Sequence, residues 1–162
     1  MYSGCTMSIR RALETEASAL SALALDAKRH WGYSAEDIAR WRPLLAISSD
    51  DIVSRPTFVA EIANEVAGFY SLVPTAPAFD LDNLWILPEF ARQGVGRALL
   101  AHAVETAGVA GASAILIDAD PHAEPFYLAC GAVRHDLVAA PIEGDPARAR
   151  PQLSLRIVGR AA

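Results

Sequence analysis

The segment from Leu84 to Leu100 constrains the fold of this chain more than any other. It opens with four apolar residues, Leu84–Leu87, a length and composition typical of a buried strand. Pro88 has no N–H to donate to a neighbouring strand, so the strand should end there. After Gly94 and Gly96, apolar residues recur at helical spacing at Ala98, Leu99, Leu100, Ala103, Val104 and Ala107. The segment therefore predicts a strand, a glycine loop and a helix, in that order.

This loop has the properties of a phosphate-binding site. Free backbone N–H groups meet the positive end of the helix dipole there, and Arg92 and Arg97 add positive charge. A P-loop would continue with Gly-Lys-Ser/Thr, whereas Gly96 is followed by Arg97 and Ala98. A dinucleotide fingerprint would place a third glycine where Leu99 stands, although Asp118 lies at about the expected distance. The P-loop is therefore excluded, whereas a dinucleotide-binding site stays open as an alternative.

The same segment resembles the signature of the GNAT N-acetyltransferase superfamily, Gln/Arg-x-x-Gly-x-Gly/Ala after a strand that ends in a Pro-containing turn. One departure is that Ala91 stands at the Gln/Arg position. A second segment, Asp120–Ala132, resembles the family pattern Asp-Pro-Asn-Ala-x-x-Phe-Tyr-x-x-x-Gly-Phe. There His122 replaces the Asn that contacts the pantetheine arm in the family, and Ala132 replaces the final Phe.

The resemblance implies acetyl-CoA as the co-substrate. In the family, a splay between the two central strands leaves backbone groups free to pair with pantetheine, and a backbone N–H near Leu87 would stabilise the oxyanion. The residues expected to contact the cofactor are Trp85, Ile86, Leu87, Arg92, Gln93, Gly94, Val95, Gly96, Arg97, Ala98, His122 and Phe126.

The implied reaction is transfer of the acetyl group to an amine of a small molecule or a protein N-terminus, by direct attack in a ternary complex. Tyr127 stands at the family's tyrosine position and would protonate the leaving thiolate. Alternatively, Tyr127 is a structural residue of the helix that only packs beside Phe126. Asp82 is the first candidate for the base that deprotonates the amine, and His30 is the second. Alternatively, Asp82 has no catalytic role and is a solvated aspartate just before the strand. Glu89 is expected to be a carboxylate in the turn.

A helix–helix corner is expected at residues 28–33. By the resemblance it forms a wall of the acceptor cleft, with His30, Trp31 and Tyr33 as substrate-binding residues. The alternative is that the two aromatic residues pack on the core and His30 is solvated.

The chain of 162 residues is 52% hydrophobic and 20% charged, which favours one folded acetyltransferase domain over 1–162 with a flexible tail at 1–6. A net charge of −5 argues against nucleic acid as a partner. No apolar run suits a membrane span, the first residues lack the basic and apolar pattern of a secretory signal, and no Cys/His spacing suits a metal. We therefore expect a cytoplasmic enzyme without a metal, with a homodimer as a possible assembly.

The expected fold class is α/β (α+β): a mixed, mostly antiparallel sheet of about six to seven strands, flanked by about four helices. Thr15 should cap the first helix, and a second should run from Ser34 to about Arg42. A hairpin is expected over Thr57–Ile62 and Val66–Val73, then a loop at Pro74–Ala78, and later a surface loop at Pro141–Pro151. Two other functions remain as alternatives: a non-catalytic acyl-CoA sensor, and a dinucleotide-binding oxidoreductase.

Overall fold

The computed structural model describes residues 6–159, so the expected tail at 1–6 lies outside the described residues except for Thr6. The strands are β1 (Met7–Arg11), β2 (Thr57–Ile62), β3 (Glu65–Thr75), β4 (Ala78–Ile86), β5 (Ala114–Asp118), β6 (Val133–Ala139) and β7 (Ala149–Arg156). The α-helices are α1 (Ala17–Arg29), α2 (Ala35–Leu45), α3 (Ser49–Ser54), α4 (Val95–Val109) and α5 (Glu124–Ala129). None of the described helices is long and apolar enough to span a membrane.

The seven strands form one sheet in the order β1-β2-β3-β4-β5-β7-β6. The pairs β1–β2, β2–β3, β5–β7 and β6–β7 are antiparallel, whereas β4 and β5 are parallel. This confirms the predicted mixed sheet. It also removes the oxidoreductase alternative, because a dinucleotide-binding domain is built on a mostly parallel sheet.

Contacts divide the chain into two compact units, and the prediction of a single domain stays a prediction. The first holds residues up to Leu72 together with Asn83–Ala103, and the second holds Val73–Asp82 together with residues from Val104 onward. In the first unit, α1 and α3 bury a core against β2 and β3. Its buried members are Ala12, Leu20, Leu23, Ala24, Ile52, Val59 and Phe69.

In the second unit, β5 lies between β4 and β7. Ile115 and Leu153, on β5 and β7, are fully buried. The pairing of β4 with β5 covers only Phe79 with Ile115 and Asp80 with Leu116. A short parallel contact at this point of the sheet is consistent with the expected splay of the two central strands.

Local signals predicted several boundaries correctly and missed others. Ser34 caps α2 as expected, since its side chain accepts a hydrogen bond from the N–H of Asp37 at 3.1 Å. The helix nevertheless continues through Pro43 to Leu45, three residues beyond the predicted end. Thr15 does not cap α1, because residues 14–16 form a 3₁₀ turn ahead of it. The unpredicted helix α3 starts from a capping box between Ser48 and Asp51, a pattern visible in the sequence.

Two expected loops are shorter than predicted, the second because β7 begins at Ala149. The loop at Pro74–Ala78 is a tight turn at Ala76 and Pro77, so β3 and β4 are longer than predicted. Asp82 therefore lies within β4 rather than ahead of the strand. In the predicted surface loop at Pro141–Pro151, Arg148 is only 8% exposed.

Candidate functional site

The glycine loop ends in a helix N-terminus whose backbone is open to a ligand. Arg92 and Gly94 both have positive φ, 62° and 80°, and α4 begins at the next residue, Val95. The carbonyl of Gly94 accepts the first helical hydrogen bond, from the N–H of Ala98 at 3.0 Å. The three N–H groups between these residues, at Val95, Gly96 and Arg97, therefore precede the helical hydrogen-bond ladder and point out of the helix end. Gly96 is thus a first-turn helix residue and not part of the loop.

The space in front of this helix end fits an anion. A Cβ placed on Gly94 would meet no atom within 4 Å, so the backbone there faces open space. Arg92 and Arg97 are exposed beside it, whereas Val95 is 1% exposed and anchors the helix in the core. The Gln93 side chain donates to the Glu89 carbonyl at 3.3 Å and holds the turn. Glu89 lies exposed in that 3₁₀ turn, as expected for a turn carboxylate.

The end of β4 is close to β3 at Gly68. A Cβ on Gly68 would lie 2.6 Å from the Trp85 carbonyl oxygen, so glycine allows the backbones to approach. The N–H of Leu87 donates to the Ala67 carbonyl at 2.8 Å. The Leu87 N–H itself is therefore used within the sheet, and the expectation of an oxyanion donor near Leu87 stays a prediction for another backbone N–H. Ile86 and Leu87 are half-buried.

The Trp85 side chain is fixed by two consecutive hydrogen bonds. Its Nε1 donates to Asn83 Oδ1 at 3.0 Å, and Asn83 Nδ2 donates to Ser71 Oγ at 2.9 Å. This brings the indole to 5.7 Å from the Trp31 ring, between centroids. The predicted cofactor residue Trp85 and the predicted acceptor residue Trp31 therefore meet in one unit of the fold.

The corner between α1 and α2 carries a cluster that the sequence only partly indicated. Tyr33 packs edge-on against Trp41 of α2, with ring centroids 4.7 Å apart. The Lys28 ammonium lies over the rings of Trp31, Tyr33, Trp41 and Trp85. We call these four rings the aromatic cage. Lys28 and Trp41 were not predicted, although Lys28 lies one turn before Trp31, whose N–H donates to the Lys28 carbonyl at 3.2 Å. His30 is exposed at the end of α1.

Tyr127 lies on α5 in the second unit and is 6% exposed. Burial raises the pKa of its phenol, because the anion would lose its hydration. The hydroxyl thus keeps its proton at neutral pH, as a proton donor must. Phe126 packs against Tyr127 with ring centroids 5.2 Å apart. The packing contact of the alternative interpretation is therefore present, and it does not exclude a role for the hydroxyl. The predicted base Asp82 is exposed on β4.

His122 is held by Asp120, in the turn that precedes α5. The Asp120 carboxylate accepts from the His122 N–H at 2.8 Å and lies 2.9 Å from its Nδ1. Arg148 donates to the other carboxylate oxygen of Asp120 at 3.2 Å and to the Ala140 carbonyl at 3.1 Å. The predicted pantetheine residue His122 is therefore exposed and oriented by a buried ion pair.

Within residues 6–159, no group of three or more His, Cys, Asp or Glu side chains is arranged to hold a metal ion. Of the predicted site residues, the first unit contains the backbone N–H groups and arginines of the glycine loop, and the second contains the phenol of Tyr127 and the carboxylate of Asp82.

The family model of the acetyltransferase (GNAT) domain matches residues 54–131. These residues contain the glycine loop, Asp82 and Tyr127. No curated protein matches the sequence.

Solved structures share the fold along nearly the whole chain. The PaiA N-acetyltransferase of Thermoplasma acidophilum, in complex with coenzyme A, has a TM-score of 0.77 at 19% identity, over 93% of this chain and 99% of that chain. The ribosomal-protein-S18-alanine N-acetyltransferase of Escherichia coli has a TM-score of 0.72 at 18% identity, over 97% of both chains. The structure of YncA from Salmonella typhimurium with its cofactor acetyl-CoA has a TM-score of 0.69 at 17% identity, also over 97% of both chains. Residues 54–131 thus match the acetyltransferase (GNAT) domain model, and along nearly its whole length the chain shares the fold of these N-acetyltransferases.

Proposed function

We propose that this chain transfers an acetyl group from acetyl-CoA to the amine of a small molecule or a protein N-terminus. The observation that carries the proposal is the open N-terminus of α4, where three N–H groups follow two positive-φ residues, Arg92 and Gly94. Such an array binds phosphate oxygens through backbone hydrogen bonds and the helix dipole. Two of the structural relatives were solved with coenzyme A or acetyl-CoA, which supports the same donor here.

Different groups of the loop would bind the acetyl donor and hold the loop in its conformation. The N–H groups of Val95, Gly96 and Arg97 would bind the pyrophosphate, and the side chains of Arg92 and Arg97 would add charge without a fixed contact. Gln93 would keep the turn in shape through its hydrogen bond to Glu89. Ile86, at the end of β4, and His122 and Phe126 remain the residues proposed to line the pantetheine arm.

When bound, acetyl-CoA supplies a thioester whose acetyl carbon forms a bond to the amine nitrogen while its bond to sulfur breaks. Tyr127 is proposed to donate its hydroxyl proton to the departing sulfur. Asp82 is proposed to take the proton that the amine loses, directly or through a water molecule, with His30 as the second candidate. The oxyanion donor must be a group other than the Leu87 N–H, since that N–H is bonded to Ala67.

A thermal-shift titration with acetyl-CoA, CoA and NAD(P)H in parallel tests the donor site. We expect a concentration-dependent rise in Tm with the two CoA species and none with the nicotinamide. A panel of amines is then screened for CoA thiol release at saturating acetyl-CoA. CoA binding without turnover on any amine would favour the sensor alternative, and the absence of any Tm shift with CoA would refute the donor site.

A further inference from the structure

A groove between α1 and the end of α2 is formed by residues of the first unit alone. Its volume is about 420 Å³, within the range of about 300–1,000 Å³ that is usual for small-molecule sites. The lining residues of α1 recur one turn apart, at Ser18, Ala22, Leu25 and Arg29, and so form one stripe along the helix. Arg42 of α2 and the segment that follows this helix line the opposite side.

Hydrogen bonds join the two sides of the groove. The Ser21 hydroxyl oxygen accepts from the N–H of Ile47 at 2.8 Å and also lies 3.2 Å from the Ile47 carbonyl oxygen. The segment after α2 is therefore attached to α1, and the groove is part of the folded unit. Its apolar surface comes from Ala22, Leu25, Ala46 and Ile47.

Three charged side chains line the groove, and two of them pair with each other. The Arg29 guanidinium lies 3.3 Å from the Asp26 carboxylate, and both side chains are about half exposed. Arg42, by contrast, is exposed and makes no hydrogen bond, ion pair or cation–π contact with any residue in the described range 6–159. The groove therefore has one positive charge in excess, although the whole chain carries a net charge of −5.

We propose that this groove binds a small organic carboxylate, with the carboxylate on Arg42 and an apolar body against the apolar lining. A guanidinium is planar and presents N–H donors in pairs, a geometry that matches the two oxygens of a carboxylate. The apolar lining favours an attached aliphatic or aromatic group over a bare ion.

The charges of the groove also select the kind of anion. Arg42 supplies one unpaired positive charge, whereas the Asp26 carboxylate in the same lining repels a second negative charge on the ligand. A monoanion therefore fits better than a phosphate group. The lining residues include none of those predicted for the donor or the acceptor, so the inference does not depend on the proposed function.

Isothermal titration calorimetry with phenylacetate tests the proposal on the full chain. Phenylacetamide has the same shape without the charge, and acetate has the charge without the ring. We expect saturable binding of phenylacetate, with a Kd lower by about tenfold or more than that of either control compound. An equal affinity for either control compound, or no saturable binding of phenylacetate in the millimolar range, would overturn the proposal.

Variants of the lining show whether the ligand lies in the groove. Arg42→Gln removes the unpaired charge and should raise the Kd of phenylacetate by about tenfold or more. Arg156→Gln removes an exposed charge at the end of β7 and should match wild type. Ala22→Phe fills the groove and should abolish binding, whereas Ala19→Phe adds the same ring at an exposed position of α1 outside the lining. Wild-type affinity in Arg42→Gln or Ala22→Phe would contradict the assignment.

The glycine loop also carries arginines, so a competition titration distinguishes the two sites. Saturating CoA should leave the Kd of phenylacetate unchanged. Displacement of phenylacetate by CoA would place the carboxylate at the donor loop and overturn the proposal. A missing Tm shift with CoA, in contrast, refutes the proposed donor site alone, because the groove shares no residue with it.

Discussion

The guanidinium of Arg148 donates to the carboxylate of Asp120 at 3.2 Å, and both side chains are about 5% exposed. The pair joins the turn before α5 to the segment that leads into β7. Replacing Arg148 with Met removes the buried positive charge that faces the Asp120 carboxylate, and should lower the free energy of unfolding by about 3–5 kcal/mol. Urea denaturation followed by circular dichroism gives the value.

Arg150 provides the matched control for this prediction. It pairs with Asp118 at 3.5 Å, but these side chains are 43% and 49% exposed. Arg150→Met should therefore lower the free energy of unfolding by no more than about 1 kcal/mol. If the two variants lose the same free energy of unfolding, burial does not make the Arg148 pair more stabilising than the exposed pair.

Gly94→Asp should abolish detectable CoA binding, because it places a carboxylate in front of the N–H groups proposed to hold the pyrophosphate. Asn and Asp both tolerate positive φ better than most residues, so Gly94→Asn controls for the backbone. Gly111→Asp makes the same change at another positive-φ glycine with open space around it. We expect calorimetry to show a loss of affinity far greater for Gly94→Asp than for either control. Similar affinities in all three variants would place the pyrophosphate elsewhere.

Tyr127→Phe should lower kcat by about 100-fold with little change in the Kd of CoA, since the variant loses the proposed proton donor and keeps the ring. Tyr70→Phe is the control for the loss of a buried tyrosine hydroxyl. Tyr70 is 0% exposed and its hydroxyl lies 2.7 Å from His102 Nδ1, outside the proposed chemistry. Steady-state kinetics should show a normal kcat for Tyr70→Phe. A normal kcat for Tyr127→Phe would refute its role as the acid.

Asp82→Asn should lower kcat by about 100-fold if the carboxylate accepts the proton of the amine. Asp80 lies two residues earlier on β4, and Asp80→Asn is the matched control, expected to have normal kinetics. Steady-state kinetics of the two variants give the comparison. If both variants keep wild-type rates, Asp82 is a solvated strand residue and His30→Ala is the next variant to test.

Glu16 should make stability depend on acid pH. The Arg10 guanidinium donates to its carboxylate at 2.6 Å and lowers the pKa of Glu16. The stabilisation is therefore present above the ordinary glutamate pKa and is lost as the pH falls through the lower pKa of the folded state. Glu16→Gln should cost about 0.5–1 kcal/mol near neutral pH, since the pair is partly screened by water.

That cost should shrink in urea titrations at progressively lower pH. Glu14→Gln, in the same 3₁₀ turn but exposed, is the control and should change the free energy of unfolding little. A cost for Glu16→Gln that does not change with pH would contradict the prediction.

Local sequence patterns were sufficient to predict the backbone of the proposed donor site. The strand, the turn at Pro88 and the helix that begins at Val95 follow from composition, proline chemistry and helical periodicity over neighbouring residues. Ser34 could be identified as a cap for the same reason, because a cap bonds to the N–H three residues later. These features depend on interactions within one turn or one strand, so a single sequence contains the information for them.

The tertiary structure decided which of these residues meet others far along the chain. The sequence predicted Trp31 and Tyr33 but could not assemble the aromatic cage, because Trp85 joins it from a strand more than fifty residues away. Likewise the pairing of Arg148 with Asp120 and of the Leu87 N–H with Ala67 follows from strand order and register. The sequence by itself determined the strand, turn and helix of the proposed donor site, since that backbone is local. Only the fold decided the surroundings of Lys28, because a cation–π cage needs rings from separate elements to converge on one point.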